Sequence, residues 1–163
     1  MDETISAENF INYAVETYSD TVYRVALNII QNPHDSFDIS QEVFIRLVKN
    51  YKKIKNNEHL KAWLIRVTVN CSRSFMKTKF RHEIISLDDI KESELKCELN
   101  EDLEVTKLVW MLSEKYSTVI YLFYYEEMKI SEIAEALGIS QSAVKQRLSR
   151  GREKLKNLIE KEN

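Results

Sequence analysis

Two glycines and one proline are the only strong chain breakers in 163 residues, and that scarcity restricts the fold more than any motif does. A sheet protein needs turn formers at almost every strand reversal, whereas helices can be joined by a cap and a few polar residues. The expected fold class is therefore all-α. Apolar residues make up 44% of the chain, enough for a packed core. Split between two small domains, such a core is marginal in each, and both gain from binding partners.

The last third, "ISEIAEALGISQSAVKQRLSRGREKLKNLIEK", reads as helix, glycine turn, helix. Ser131 precedes the apolar run Ile133, Ala134, Leu137 as its expected N-cap, and Gly138 closes the run in a position that favours positive φ. Ser140 caps the second helix, with Ile139 and Val144 at the spacing of a hydrophobic staple. Val144, Leu148, Gly151, Leu155 and Leu158 then recur at helical steps, while Ser142, Lys145, Gln146, Ser149 and Arg150 point largely the other way. Between Lys145 and Lys156 stand six cations and one acid, Glu153. An apolar face docks and a cationic face is left outward, the layout of a helix-turn-helix with a recognition helix for the major groove.

The formal net charge of −2 conceals a strong segregation. Residues 43–82 hold eleven cations and one acid, whereas residues 83–104 hold nine acids and two lysines. Two basic patches separated by an acidic connector each have the footprint of a surface that meets phosphates. No apolar run approaches membrane-spanning length and the first ten residues lack a signal-like pattern, so no membrane insertion and a cytoplasmic location are expected. Cys71 and Cys97 are isolated thiols, and His34, His59 and His82 are dispersed, so no disulfide, metal or cofactor is expected.

Towards the N-terminus, Phe10, Ile11, Ala14, Val15, Tyr18, Val22, Ala26, Ile29 and Ile30 follow helical spacing, with a break expected near Ser19 and Asp20. Asn32 precedes proline and is pushed out of the helical region, which leaves Asp35 to cap a helix over about 36–52. In that helix Ile39, Val43, Leu47 and Tyr51, flanked by Phe44 and Val48, form the apolar face. Asp38, Gln41, Glu42, Ile45 and Arg46 lie towards the other side, where Ile45 is a candidate for protein contact. After a basic loop, a long helix carries the core stripe Leu60, Leu64, Val67, Cys71 and Phe75. A second stripe, Arg66, Asn70, Arg73, Lys77 and Arg81, runs on a neighbouring face without one acid. Trp63 is expected in the core; Phe75 and Phe80 suit either core or base stacking.

Residues 83–101 lose periodicity and turn acidic, as a flexible linker does. Helical pattern resumes with Val105, Leu108, Val109 and Leu112, then Val119, Ile120, Leu122, Phe123 and Tyr124, which are expected to pack under the helix-turn-helix. The expected organisation is a helical domain over 1–82, an acidic linker over 83–101 and a second helical domain over 102–163.

Together "NPHDSFDISQEVFIRLVKN", "LKAWLIRVTVNCSRSF" and "SEKYSTVIYLFYYEEMKISEIAEALGISQSAVKQRLSRGREKLK" resemble regions two and four of an extracytoplasmic function (ECF) sigma factor of the sigma-70 family. Three departures stand out. Phe37 occupies a place usually acidic, Ser113 one where a proline commonly opens a helix, and Glu127 one where glycine is common. The resemblance implies a non-enzymatic subunit that binds core RNA polymerase and directs it to promoter DNA, restrained by an anti-sigma factor. It places Asp38, Gln41, Glu42 and Ile45 against core polymerase. It places the loop Lys53 to Asn57, including Asn56, at an unstacked base of the minus-ten element, with Arg66, Asn70, Arg73, Ser74 and Lys77 along the same DNA. It assigns the minus-thirty-five element to the recognition helix, Arg147, Arg150 and Arg152 on phosphates and Ser142, Lys145, Gln146 and Ser149 on base edges.

Two other readings exist. A stand-alone helix-turn-helix regulator with a sensor or dimerisation domain has no need of the Arg66 to Arg81 stripe. An enzyme would show a glycine-rich phosphate loop, paired histidines or a nucleophile motif, and none occurs here.

Overall fold

The computed structural model describes residues 3–83 and 103–162. Among them are seven α-helices, one turn of 3-10 helix and no strand. The chain divides into two compact units, with the division between residues 89 and 90. Residues 84–102, which hold most of the acidic stretch and Cys97, lie outside the described residues.

In the first unit α1 runs unbroken over Glu3–Ile30. The expected break at Ser19 and Asp20 is absent, because Val22, Val25, Ala26, Leu27, Ile29 and Ile30 are all buried and packing outweighs the weak propensities of two residues. Gln31 ends the helix at φ 58°, its N–H donating to Leu27 O at 2.8 Å. The next helix, α2, spans Pro33–Asn50, earlier than expected. Asn32, not Asp35, is its cap: Asn32 is extended at φ −139° and its Oδ1 accepts the Asp35 N–H at 3.0 Å. The same clash that extends the residue before proline creates cap geometry, and Pro33 at the first helical position has no N–H to satisfy.

A 3-10 turn at Tyr51–Lys53 leads to α3, Asn57–Glu83. Asn56 caps α3 by accepting the His59 N–H at 2.8 Å, and His59 Nδ1 accepts the Lys55 N–H at 3.1 Å, so the basic loop is closed by reciprocal bonds. Val43, Leu47, Leu60 and Leu64 are at most 1% exposed at the centre of the three-helix core, with Trp63 and Phe75 packed against it. Ile65, Thr68, Val69 and Ser72 are buried as well, so α3 is covered on a broader arc than its expected stripe.

The second unit comprises α4 (Leu103–Met111), α5 (Glu114–Tyr124), α6 (Ile130–Leu137) and α7 (Gln141–Glu162). Ser113 sits before α5 at φ −61°, a value proline also adopts, and makes no side-chain cap bond. Ser131 is inside α6 and exposed; the helix starts after Lys129, whose N–H donates to Glu132 Oε1 at 3.3 Å. The glutamate at the third helical position closes this end by accepting the N–H of the residue before the helix, a different bond from the one a capping serine makes. Gly138 takes φ 66°, and the N–H of Ile139 reaches back to Ala134 O at 3.0 Å. Ser140 Oγ accepts the Ala143 N–H at 3.0 Å and opens α7.

Val119, Ile120, Leu122, Ile133, Val144 and Leu148 form the centre of this core. At Gly151 a Cβ would stand 2.7 Å from Ile120 Cδ1, so α7 meets α5 where one residue has no side chain. Tyr124 does not pack beneath the motif: it is 51% exposed, Phe123 is half-buried, and Val105 is also exposed.

Candidate nucleic-acid interface

On α7, Val144 and Leu148 face the core, while Ser142, Lys145, Gln146, Ser149, Arg150 and Arg152 are exposed. Arg147 is half-buried and is the least presented of the seven residues assigned to DNA. The first two turns combine small hydroxyls with Lys145 and Gln146, side chains able to donate to or accept from base edges in a major groove. Arg152 is held from outside its own helix. Its Nε donates to the Tyr124 hydroxyl, and its guanidinium lies 5.5 Å from the ring centres of both Phe123 and Tyr124. A braced guanidinium loses less rotamer freedom when it meets a phosphate. The exposure of Tyr124 thus has a role that helical periodicity could not reveal.

On α3, Arg66, Asn70, Ser74, Lys77 and Arg81 are exposed and Arg73 is half-buried. Lys79 is turned away from this line and pairs with Asp35 at 3.6 Å, joining α3 to the start of α2. Lys53, at the end of the 3-10 turn, and Asn57, in the first turn of α3, are exposed. Asn56 is exposed too, and its side-chain oxygen caps α3. Phe80 is 64% exposed and so is not a core residue.

Asp38, Gln41, Glu42 and Ile45 all lie exposed on α2. Glu42 accepts from Arg46 Nε at 3.1 Å, an exposed pair that contributes little stability. Ile45 is not isolated. Phe37 and Val48, 54% and 53% exposed, join it with Val15, Tyr23 and Phe44 along an open groove of about 900 Å³ between α1 and α2. Val48 was expected to flank the core; the crossing of α1 leaves that edge of the apolar face uncovered. The spacing of Phe37, Gln41, Phe44 and Val48 was the available signal, since it marks one more helical line beside the core stripe.

Burial pushes the Cys71 thiol above its ordinary range, and Glu42 adds to that while Arg46 opposes it. Such a thiol is a packing residue, not a nucleophile. Among the described residues no three His, Cys, Asp or Glu side chains are grouped to hold a metal, and no helix is long and apolar enough to cross a membrane.

The arrangement has counterparts among known proteins. The family model for sigma-70 region 2 matches residues 14–81, and that for sigma-70 region 4 matches residues 102–155. The ECF RNA polymerase sigma factor SigW of Bacillus subtilis is 28% identical over 161 residues, covering 89% of this chain and 86% of the relative. RNA polymerase sigma factor SigZ of the same organism is 32% identical over 127 residues, covering 76% of this chain and 72% of that protein. In fold the chain is similar to the sigma factor RpoE of Bartonella quintana, solved with the anti-sigma factor NepR, at a TM-score of 0.79, 21% identity, and coverage of 91% and 96% of the two chains. A basic helix-turn-helix preceded by a three-helix unit with its own cationic stripe, matched region by region over most of its length, thus belongs to the sigma-70 family of RNA polymerase sigma factors, in the ECF branch.

Proposed function

We propose that this chain binds core RNA polymerase and directs it to promoters, its first unit gripping polymerase and opening the minus-ten element and its second reading the minus-thirty-five element. The observation that carries this reading is the pair of acid-poor cationic faces, on α3 and on α7, one in each unit. A regulator that only binds duplex DNA has use for one such face; a protein that reads one element and holds another open has use for both.

The domain limits that follow are 1–82 for region two, 83–101 for the connector and 102–163 for region four, in keeping with the matched spans 14–81 and 102–155. On α2, Asp38, Gln41, Glu42 and Ile45 offer carboxylate, amide and apolar contacts beside one another, a mixed patch suited to a helical element of the polymerase. On α3 and its preceding loop, Lys53, Asn56, Asn57, Arg66, Asn70, Arg73, Ser74 and Lys77 are the residues assigned to the opened strand. Unstacking costs a few kcal/mol per extruded base, so cations placed along the displaced strand are what opening requires. On α7, Ser142, Lys145, Gln146 and Ser149 read base edges and Arg147, Arg150 and Arg152 hold phosphates. A similar fold has been solved bound to an anti-sigma factor, and an anti-sigma factor is the proposed restraint on this chain.

The test is transcription in vitro with core polymerase and a promoter library. The expected result is transcription from a subset of promoters sharing two elements, lost with core binding when Gln41 and Ile45 are both replaced by alanine. Binding of duplex DNA without any stimulation of core polymerase would refute the reading.

A further inference from the structure

Arg152 and its two aromatic rings occupy one flank of α7, and a second cluster occupies the other. Gln146, Arg150 and Lys154 follow one another at steps of four and so form a line along the helix. Across from that line stand Lys115 and Tyr116, in the first turn of α5. Lys115 Nζ is 4.9 Å and Lys154 Nζ 5.5 Å from the centre of the Tyr116 ring. Lys115, Arg150 and Lys154 all favour the ionised form of the Tyr116 hydroxyl. The tyrosine is 8% exposed, seated beside α7 where a Cβ on Gly151 would stand 3.5 Å from Tyr116 Cβ.

Three exposed cations therefore converge on one phenol, and none of the three forms an ion pair among the described residues. Glu114, the acid adjacent in sequence, accepts a hydrogen bond from Thr118 Oγ1 at 3.0 Å. The crowding is visible on the phenol itself: burial raises its pKa, yet Lys115, Arg150 and Lys154 more than offset this and hold it below the ordinary tyrosine value. Like charges gathered without a counter-ion repel one another, and an anion entering the cluster relieves that repulsion.

We propose that the Tyr116 hydroxyl, with Lys115, Arg150 and Lys154, forms a seat for one backbone phosphate of duplex DNA, on the edge of the groove opposite the edge met by Arg152. This rests on α7 being a major-groove helix. DNA is favoured over a free phosphate because the line through Arg150 and Lys154 begins at Gln146, among the residues that face base edges. A helix about 10–12 Å across with its side chains fills a groove about 12 Å wide, so both of its flanks meet backbone. Each flank then carries a cation steadied by an aromatic ring. Tyr116 is a positioning residue: it collects the cations of two helices at one point before the phosphate arrives.

The test is anisotropy of a labelled random-sequence duplex about three helical turns long, titrated with the full chain at several salt concentrations. Tyr116→Phe keeps the ring and removes the hydroxyl; affinity is expected to fall about threefold to tenfold with the thermal midpoint unchanged. Lys115→Gln is expected to reduce the slope of log affinity against log salt by about one, and Lys107→Gln on α4 to leave it as it is. Wild-type affinity and slope in both Tyr116→Phe and Lys115→Gln would overturn the phosphate seat while leaving the reading of α7 intact. Absence of salt-dependent binding by the unsubstituted chain would instead remove that reading, and the seat with it.

Discussion

Glu127 holds a backbone position that suits glycine, and Glu127→Gly is expected to stabilise the protein. Its φ is 53°, in the left-handed region, at the bend between α5 and α6. The bend is held from both sides. Tyr125 N–H donates to Tyr121 O at 2.9 Å, Met128 N–H donates to Leu122 O at 3.1 Å, and Met128 is 3% exposed. The glutamate side chain itself is exposed and makes no hydrogen bond or ion pair among the described residues, so its removal forfeits nothing. A left-handed L-residue costs about 1–2 kcal/mol through the clash of Cβ with the following carbonyl. Glycine relieves that clash but gives back about 0.5–1 kcal/mol because its unfolded chain is freer. The difference spans about 0–1.5 kcal/mol with a centre of about 0.75 kcal/mol, which is about 3–6 °C for a domain of this size. Differential scanning calorimetry of the full chain should show this shift in the transition of the second unit. Glu127→Ala is the decisive control, since it removes the same charge but keeps the Cβ. An equal shift in the alanine variant, or none in the glycine variant, would refute the argument from backbone strain.

Gly151→Val should destabilise the second unit by about 1–3 kcal/mol, because its Cβ alone meets Ile120 Cδ1 at 2.7 Å; urea unfolding measures it. Asn32→Ala should cost about 1 kcal/mol in the first unit through loss of the bond to Asp35 N–H, again read from urea midpoints. Native Cys71 should resist alkylation at neutral pH. Since its thiol is raised by burial, its contribution to stability persists below the ordinary thiol range and is lost as pH climbs through the folded value, so unfolding at neutral and alkaline pH should differ. Lys145→Ala should relax preference at part of the minus-thirty-five element, costing ~1–3 kcal/mol there, whereas Arg152→Ala should weaken all promoters alike and flatten the salt dependence; library binding by holoenzyme at several salt concentrations separates the two.

Much of the second unit could be read directly from the chain because its determinants are local. Gly138 and Ser140 act on residues within five positions, and such bonds leave their mark on neighbouring residue types. The faces of α7 were legible for the same reason, as a periodicity of one residue set against another. Local chemistry can also be misassigned: Ser131 looked like a cap where Glu132 closes the start of α6, and Asp35 looked like a cap where Asn32 is one. The charge segregation along the chain located both cationic faces, since net charge survives any choice of rotamer.

What tertiary structure decided was which edge of an apolar face is covered. Phe37, Ile45 and Val48 follow the same helical rhythm as buried Val43 and Leu47, and only the crossing of α1 over α2 leaves a groove beside them. The continuity of α1 through Ser19 and Asp20 was settled in the same way, by packing that outweighs propensity. The bracing of Arg152 by Tyr124 joins residues 28 apart, and the gathering of Arg150 and Lys154 about Tyr116 spans a longer separation still. Periodicity reports the direction of a side chain from its own helix axis; it carries no information about what the next helix brings to meet it, which depends on how the helices cross.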